Sequence, residues 1–101
     1  MSEKHENLAR SARAWTGLNQ VEFCALVGIT QAQQSRREND GRKPTEVGER
    51  LYRIVIAVCA LGRGELLEVL DQDERTEARS YFRLAEELRA RGLDALIPRT
   101  E

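Results

Sequence analysis

The stretch LNQVEFCALVGITQAQQSRRENDGRKP, residues Leu18 to Pro44, decides the fold of this chain. It contains two segments with helical spacing of apolar and polar residues, and each segment begins with a capping-box pattern. Asn19 followed by Glu22 opens the first segment, and Thr30 followed by Gln33 opens the second. The stretch therefore predicts two short helices, the second of which ends in a basic loop.

The connection between these two helices is predicted to be a tight turn at Gly28. A residue without a side chain takes the positive φ that a helix C-terminus requires there. Cys24 is small enough to lie where the two helices touch, and Phe23, Val27 and Ile29 anchor the pair in the core. A pair of this shape presents its second helix outward, and the major groove of B-DNA, about 12 Å wide, admits one helix.

The second helix carries side chains that suit contact with DNA. Thr30 caps the helix, so that its N-terminal amides and dipole lie near a phosphate. Gln31 follows at the tip that reaches base edges. Gln can pair bidentately with adenine and Arg with guanine, which makes Gln31 and Arg36 the principal expected readers of sequence.

Helical periodicity continues on both sides of this stretch, and no segment alternates as a strand does. Helix one is predicted from about Glu6 to Trp15, with Trp15 in the core. Thr45 is expected to cap a fourth helix, which is apolar on every side from Ile54 to Leu61 and should be buried all round. In so small a domain this helix is expected either at the centre of the core or half in the core and half in a subunit interface. A short helix follows, and then a longer amphipathic helix from about Asp71 to Arg91. The chain is predicted to be all-α.

Composition favours one globular domain with an uneven surface charge. The chain has 101 residues, of which 41% are hydrophobic and 33% charged, and its formal net charge is −1. Basic residues dominate positions 35–43, and acidic residues dominate positions 65–77. Such a distribution fits oriented docking on DNA, and it is also what a charge-rich helical surface gives by chance.

Several classes of function are disfavoured by what the sequence lacks. It shows no Ser/His/Asp set, phosphate-binding loop or paired carboxylates, so we expect no enzymatic activity. Cys24 and Cys59 lie in apolar helical patterns and are expected to be buried thiols, since neither a disulfide framework nor a zinc motif is present. The N-terminus is polar, unlike a signal peptide, and no apolar run is long enough to span a bilayer. We expect a cytoplasmic protein without a cofactor or metal.

At these residues the sequence resembles the Cro/C1-type helix-turn-helix family, which includes the repressors of lambdoid phages and the Xre-like bacterial regulators. The resemblance covers about residues 8–62, and Gly28 falls eight residues after Gln20, as the family requires. The matching residues are Gly17, Leu18, Asn19, Gln20, Glu22, Val27, Gly28, Thr30, Gln31, Arg36, Glu38, Asn39, Arg42, Lys43 and Pro44.

This resemblance implies a five-helix, lambda-repressor-like DNA-binding domain over residues 1–62, with its motif at 20–39, that acts as a dimer on a two-fold-related operator. It implies that base contacts are made by Gln31, Ala32, Ser35 and Arg36, with Ala32 touching a thymine methyl. It implies phosphate contacts by Gln20, Gln33, Asn39, Arg42 and Lys43, beside the capping residue Thr30.

Gln34 and Arg37 depart from the family pattern. The family usually has aliphatic residues at these two positions, where helix three packs on the core. An unpartnered buried Gln costs about 1–3 kcal/mol, and a buried charge costs more. Either these side chains reach solvent or a partner, or helix three is rotated so that they join the reading face, or the helix becomes ordered only on DNA.

The segment 63–101, an appended amphipathic helix with a short apolar tail, lies outside the resemblance. One interpretation is that Tyr81, Phe82, Leu88 and Leu96 complete the core of a single chain. The interpretation that we favour is that these residues form a homodimer interface, because the family's domain is already closed by its fifth helix. A symmetric dimer would place two recognition helices about 34 Å apart, one turn of DNA.

Together these features predict a transcriptional regulator, and a repressor that occludes polymerase in particular. Phage regulators and regulators of mobile elements share this design. Two alternatives stay open. One is an antitoxin that also autoregulates, with residues 63–101 supplying a surface for a toxin or another partner protein. The other is a protein-interaction module that does not bind DNA.

Overall fold

The computed structural model describes residues 7–71 and 76–98, and within these ranges the chain is all-α without a strand. Five α-helices and two 3₁₀ helices follow one another in the described ranges. The α-helices are α1 (Leu8–Thr16), α2 (Gln20–Val27), α3 (Gln31–Asn39), α4 (Glu46–Ala60) and α5 (Glu77–Ala90), and the 3₁₀ helices span Gly64–Leu70 and Asp94–Leu96.

Both predicted capping boxes are confirmed. The Asn19 side chain accepts from the Glu22 amide at 2.8 Å, and the Glu22 carboxylate accepts from the Asn19 amide at 3.2 Å. Thr30 and Gln33 make the equivalent pair of bonds, each 3.1 Å long. Gly28 ends α2 with a φ of 81°, in the left-handed region. The two helices and the turn between them therefore form as their local sequence predicts.

Two other helix starts differ from the expected positions. α1 begins at Leu8, where the Asn7 side chain accepts from the Arg10 amide, and Glu6 lies outside the described residues. α5 begins at Glu77 after the cap Thr76, later than the expected start near Asp71. The intervening positions 72–75 also lie outside the described residues.

α4 runs through the centre of the core and packs against both α1 and α5. Its residues Ile54, Val55 and Val58 have no exposed surface. A single cluster of buried side chains continues across residue 62 into the C-terminal segment. That cluster comprises Ala9, Ala12, Phe23, Val27, Leu51, Tyr52, Ile54, Val55, Val58, Leu66, Leu67, Leu70, Tyr81, Leu84 and Leu88. Residues on both sides of the expected boundary thus share one core.

Two apolar side chains that were expected to be buried are half exposed in the single chain. Trp15 is 52% exposed, because the small side chains of Ala9 and Ala12 already fill the core face of α1. Leu61 is also 52% exposed, since α4 ends at Ala60 and Leu61 follows as its C-terminal capping residue. Most residues of the apolar run at the end of α4 are therefore at least partly buried, but its last residues are exposed.

Within residues 7–71 and 76–98, no helix has the length and apolar character needed to cross a membrane.

Candidate nucleic-acid interface

The outward side of α3 carries the side chains that were expected to contact bases. Gln31, Ala32 and Arg36 are exposed, and Ser35 is half-buried. The expected phosphate-contacting residues surround them. Of these, Thr30, Gln33, Asn39, Arg42 and Lys43 are exposed, and Gln20 is half-buried. The structure thus gathers the predicted site on α3, on the first residue of α2 and in the loop after α3.

Weak contacts on this surface join some of these side chains to one another. The Gln31 Nε2 atom donates to Gln20 Oε1 at 3.5 Å, which links the first residues of α3 and α2. Asn39 Nδ2 donates to Ser35 Oγ at 3.3 Å, one helical turn away. These bonds are long and exposed, so that base or phosphate atoms can replace them at little cost.

The charge of this surface is positive. Arg36, Arg42 and Lys43 are all exposed. None of them takes part in an ion pair within the described ranges. Their cationic groups are therefore accessible to an anionic ligand such as a phosphate backbone.

On the inward side of α3, Gln34 is completely buried, and both the nitrogen and the oxygen of its side-chain amide are hydrogen-bonded. Gln34 Nε2 donates to the Ala9 carbonyl at 3.0 Å and to Glu38 Oε2 at 2.6 Å. Gln34 Oε1 accepts from the Tyr52 hydroxyl at 2.7 Å. The alternative in which α3 is rotated to bring Gln34 onto the reading face is therefore wrong.

Arg37 also points inward, and its charge is compensated by a residue of α5. Its Nη1 atom donates to Glu77 Oε1 at 2.7 Å and to the Tyr52 hydroxyl at 3.0 Å. Only 5% of the Arg37 side chain and 14% of the Glu77 side chain are exposed. The second carboxylate oxygen of Glu77 accepts from Thr45 Oγ1 at 2.7 Å. Arg37, which departs from the family pattern in α3, thus has an acidic partner 40 residues further along the chain.

A second ion pair fixes the end of α3 to α1. Glu38 is 5% exposed and accepts from the Arg13 guanidinium at 2.7 and 2.9 Å. The hydrogen bond from Arg13 lowers the pKa of Glu38 from its ordinary value of 4.5. Arg10 and Asn7 donate to the Glu38 carbonyl, at 2.6 and 3.0 Å. α1 therefore satisfies carbonyl and carboxylate groups that the last turn of α3 leaves unpaired.

The start of α5 lies against two glycines of the helices that surround α3. A Cβ atom on Gly28 would lie 2.8 Å from the backbone of Thr76. A Cβ atom on Gly48 would lie 2.9 Å from the Glu77 carboxylate. Gly28 is thus required both for its positive φ and for the close approach of α5.

Sequence reasoning missed the role of Glu77, which stands out in the sequence only as one residue of the acidic segment 65–77. The available signal was the charge of Arg37 on an inward face, because a buried guanidinium requires an acidic partner. Sequence alone gives no means to choose Glu77 among the acidic residues that follow α4.

The structure corrects the expected dimer interface. Leu88 has no exposed surface and Tyr81 is 7% exposed, both within the core of a single chain. Leu96 packs partly buried against the same core. Phe82, in contrast, is 61% exposed and contacts Tyr81 edge-on, with ring centroids 5.3 Å apart. Of the four expected interface residues, Phe82 is the one that α5 presents to solvent.

Both cysteines of the chain lie at least partly inside the fold. Cys24 is buried and Cys59 half-buried, both are free thiols, and burial raises the pKa of each. In the part of the chain that the structure describes, no group of His, Cys, Asp and Glu residues is arranged to hold a metal ion.

Comparisons of this chain with protein-family models, with curated proteins and with solved structures found no match.

Proposed function

We propose that this chain is a sequence-specific DNA-binding regulator of the Cro/C1 type, with a lambda-repressor-like helix-turn-helix, and that it acts as a repressor. One observation carries the proposal. α3 presents a polar, cationic outer face, while its inner face is fixed by buried hydrogen bonds to α1, α4 and α5. A helix that reads bases must be exposed on one side and rigidly held on the other.

In this proposal α3 enters the major groove. Gln31 pairs with adenine and Arg36 with guanine, each through two hydrogen bonds. The N-terminal amides of α3 and the cations Arg42 and Lys43 contact phosphates on either side of the groove. Binding at a promoter occludes polymerase.

The reading role of Arg36 is tested against Lys43, a cation outside α3 whose removal changes the net charge equally. Arg36→Ala should weaken binding to a preferred sequence by about 1–3 kcal/mol and relax one base position. Lys43→Ala should weaken binding to preferred and random DNA alike, and reduce the salt dependence of the binding constant. Fluorescence anisotropy at several salt concentrations measures both effects. An equal loss on preferred and random DNA for Arg36→Ala would contradict its role as a reader.

The proposal includes a homodimer in which Phe82 of each copy contributes to the interface. A large apolar side chain that is 61% exposed on an amphipathic helix suits contact with a second copy. Phe82→Ser should convert a dimer to a monomer in sedimentation. Leu61→Ser is the matched control, because Leu61 is also exposed but lies at the end of α4. A wild-type monomer that co-purifies with a small partner protein would favour the antitoxin alternative.

A further inference from the structure

The start of α5 contacts α3, the beginning of α4 and the turn between α2 and α3. The Glu77 carboxylate accepts from Arg37 of α3 and from Thr45 at the start of α4. The Thr76 backbone lies against Gly28 in the turn between α2 and α3. Thr76 and Glu77, at the start of α5, therefore join the α2–α3 turn, α3 and α4 at one place.

Hydrogen bonds continue from Glu77 along the inner face of α3. Arg37 donates to the Tyr52 hydroxyl at 3.0 Å, and that hydroxyl donates to Gln34 at 2.7 Å. Gln34 and Arg37 are one helical turn apart on α3, so holding both side chains fixes the rotation of the helix about its axis. Gln31 and Arg36 of the same helix are exposed, and that rotation determines where their side chains point.

From this geometry we infer that Glu77 is a positioning residue for the recognition helix. It acts through Arg37 and sets the affinity of α3 for DNA without contacting DNA itself. The inference rests on the proposed function. Without the Glu77 carboxylate, the guanidinium of Arg37 has no anionic partner in a site that is almost fully buried. α3 must then shift or turn until water reaches that charge, and the reading side chains move with it.

The test compares Glu77→Gln with Glu87→Gln. Both substitutions remove one negative charge from α5, and Glu87 pairs with Arg91 at the far end of that helix. Loss of an acidic charge by itself should strengthen DNA binding, because repulsion of phosphate falls. We expect Glu87→Gln to bind as tightly as the wild type or slightly more tightly. Glu77→Gln should bind about tenfold more weakly, the opposite sign. Affinities are compared well below the unfolding temperature of each variant.

A second measurement, on the free protein, separates this inference from the proposed function. Backbone amide chemical shifts of residues 31–39 should change in Glu77→Gln and stay unchanged in Glu87→Gln. If the wild type bound no DNA but these shifts changed, the proposed function would fail and the positioning role would stand. Unchanged α3 shifts, or equal affinities for the two variants, would overturn the inference. If Glu77→Gln does not fold, Glu77→Asp keeps the charge, withdraws the carboxylate by one methylene and is subject to the same two measurements.

Discussion

Tyr52→Phe is the sharpest test of the buried polar network beneath α3. The Tyr52 hydroxyl accepts from Arg37 at 3.0 Å and donates to Gln34 at 2.7 Å. The substitution deletes one oxygen and leaves the ring, which packs on Phe23 with centroids 6.3 Å apart. The structure therefore predicts a loss of hydrogen bonds with little change in packing.

The magnitude follows from the two bonds. A hydrogen bond to a charged group contributes about 1.5–3 kcal/mol, and one between neutral groups about 0.5–1.5 kcal/mol. Tyr52 is 1% exposed, so water cannot replace the hydroxyl without rearrangement of the core. We expect Tyr52→Phe to lower the free energy of unfolding by about 2–4 kcal/mol.

Urea unfolding followed by circular dichroism measures this loss. With a slope of about 1–2 kcal/mol per molar for a chain of this size, the midpoint should fall by roughly 1–4 M. Tyr81→Phe is the control, because Tyr81 lies outside the network of Arg37 and Gln34, and its cost should stay below about 1 kcal/mol. A loss below about 0.5 kcal/mol for Tyr52→Phe, or equal losses for the two variants, would refute the reasoning.

Two further predictions concern the ion pairs on either side of this network. Gly48→Ala should lower the free energy of unfolding by about 1–3 kcal/mol in a urea titration. The new Cβ displaces the Glu77 carboxylate from Arg37, and the cost of weakening this ion pair exceeds the gain in helix propensity. A more stable Gly48→Ala protein would contradict this. Because the Arg13 bond lowers the folded-state pKa of Glu38, that carboxylate stabilises the fold above its ordinary pKa of 4.5, and this contribution is lost as the pH falls through the lowered value. Urea titrations from pH 7 to pH 3 should therefore show a smaller decline in stability for Glu38→Gln than for the wild type, and an unchanged decline would argue against the pair.

The ends of α2 and α3 were predictable because local interactions determine them. Asn19 and Thr30 each bond to a residue three positions later, and Gly28 takes its left-handed conformation within the turn itself. Such signals are complete in a short window of sequence. The exposure of Gln31 and Arg36 was predicted from their positions relative to these helix ends.

The facing of Gln34 and Arg37 could not be derived in this way. It depends on the Tyr52 hydroxyl and the Glu77 carboxylate, which lie 18 and 40 positions away from their partners. The sequence offers many acidic residues, and only the folded chain selects one of them. A polar residue on a helix face that should be buried thus predicts a partner without identifying it.

The residues Trp15 and Leu88 show a similar limit. An amphipathic stripe indicates that one face of a helix is covered, but not by which surface. Leu88 is covered by the core of its own chain, whereas Trp15 is exposed because smaller alanines make the contact. Which side chains of a stripe reach the core depends on the packing distance between helices, and this distance is a property of the tertiary structure.

The central claim, that the outer face of α3 reads a DNA sequence, is tested most directly by selection of bound sequences from random double-stranded DNA. The wild-type protein should enrich one two-fold-related sequence whose half-sites are one helical turn apart. Repeating the selection with Arg36→Ala should lose the preference at one position of each half-site and keep the others. If the folded wild-type protein enriched no sequence, or if the Arg36→Ala protein enriched the wild-type sequence unchanged, the claim would be contradicted.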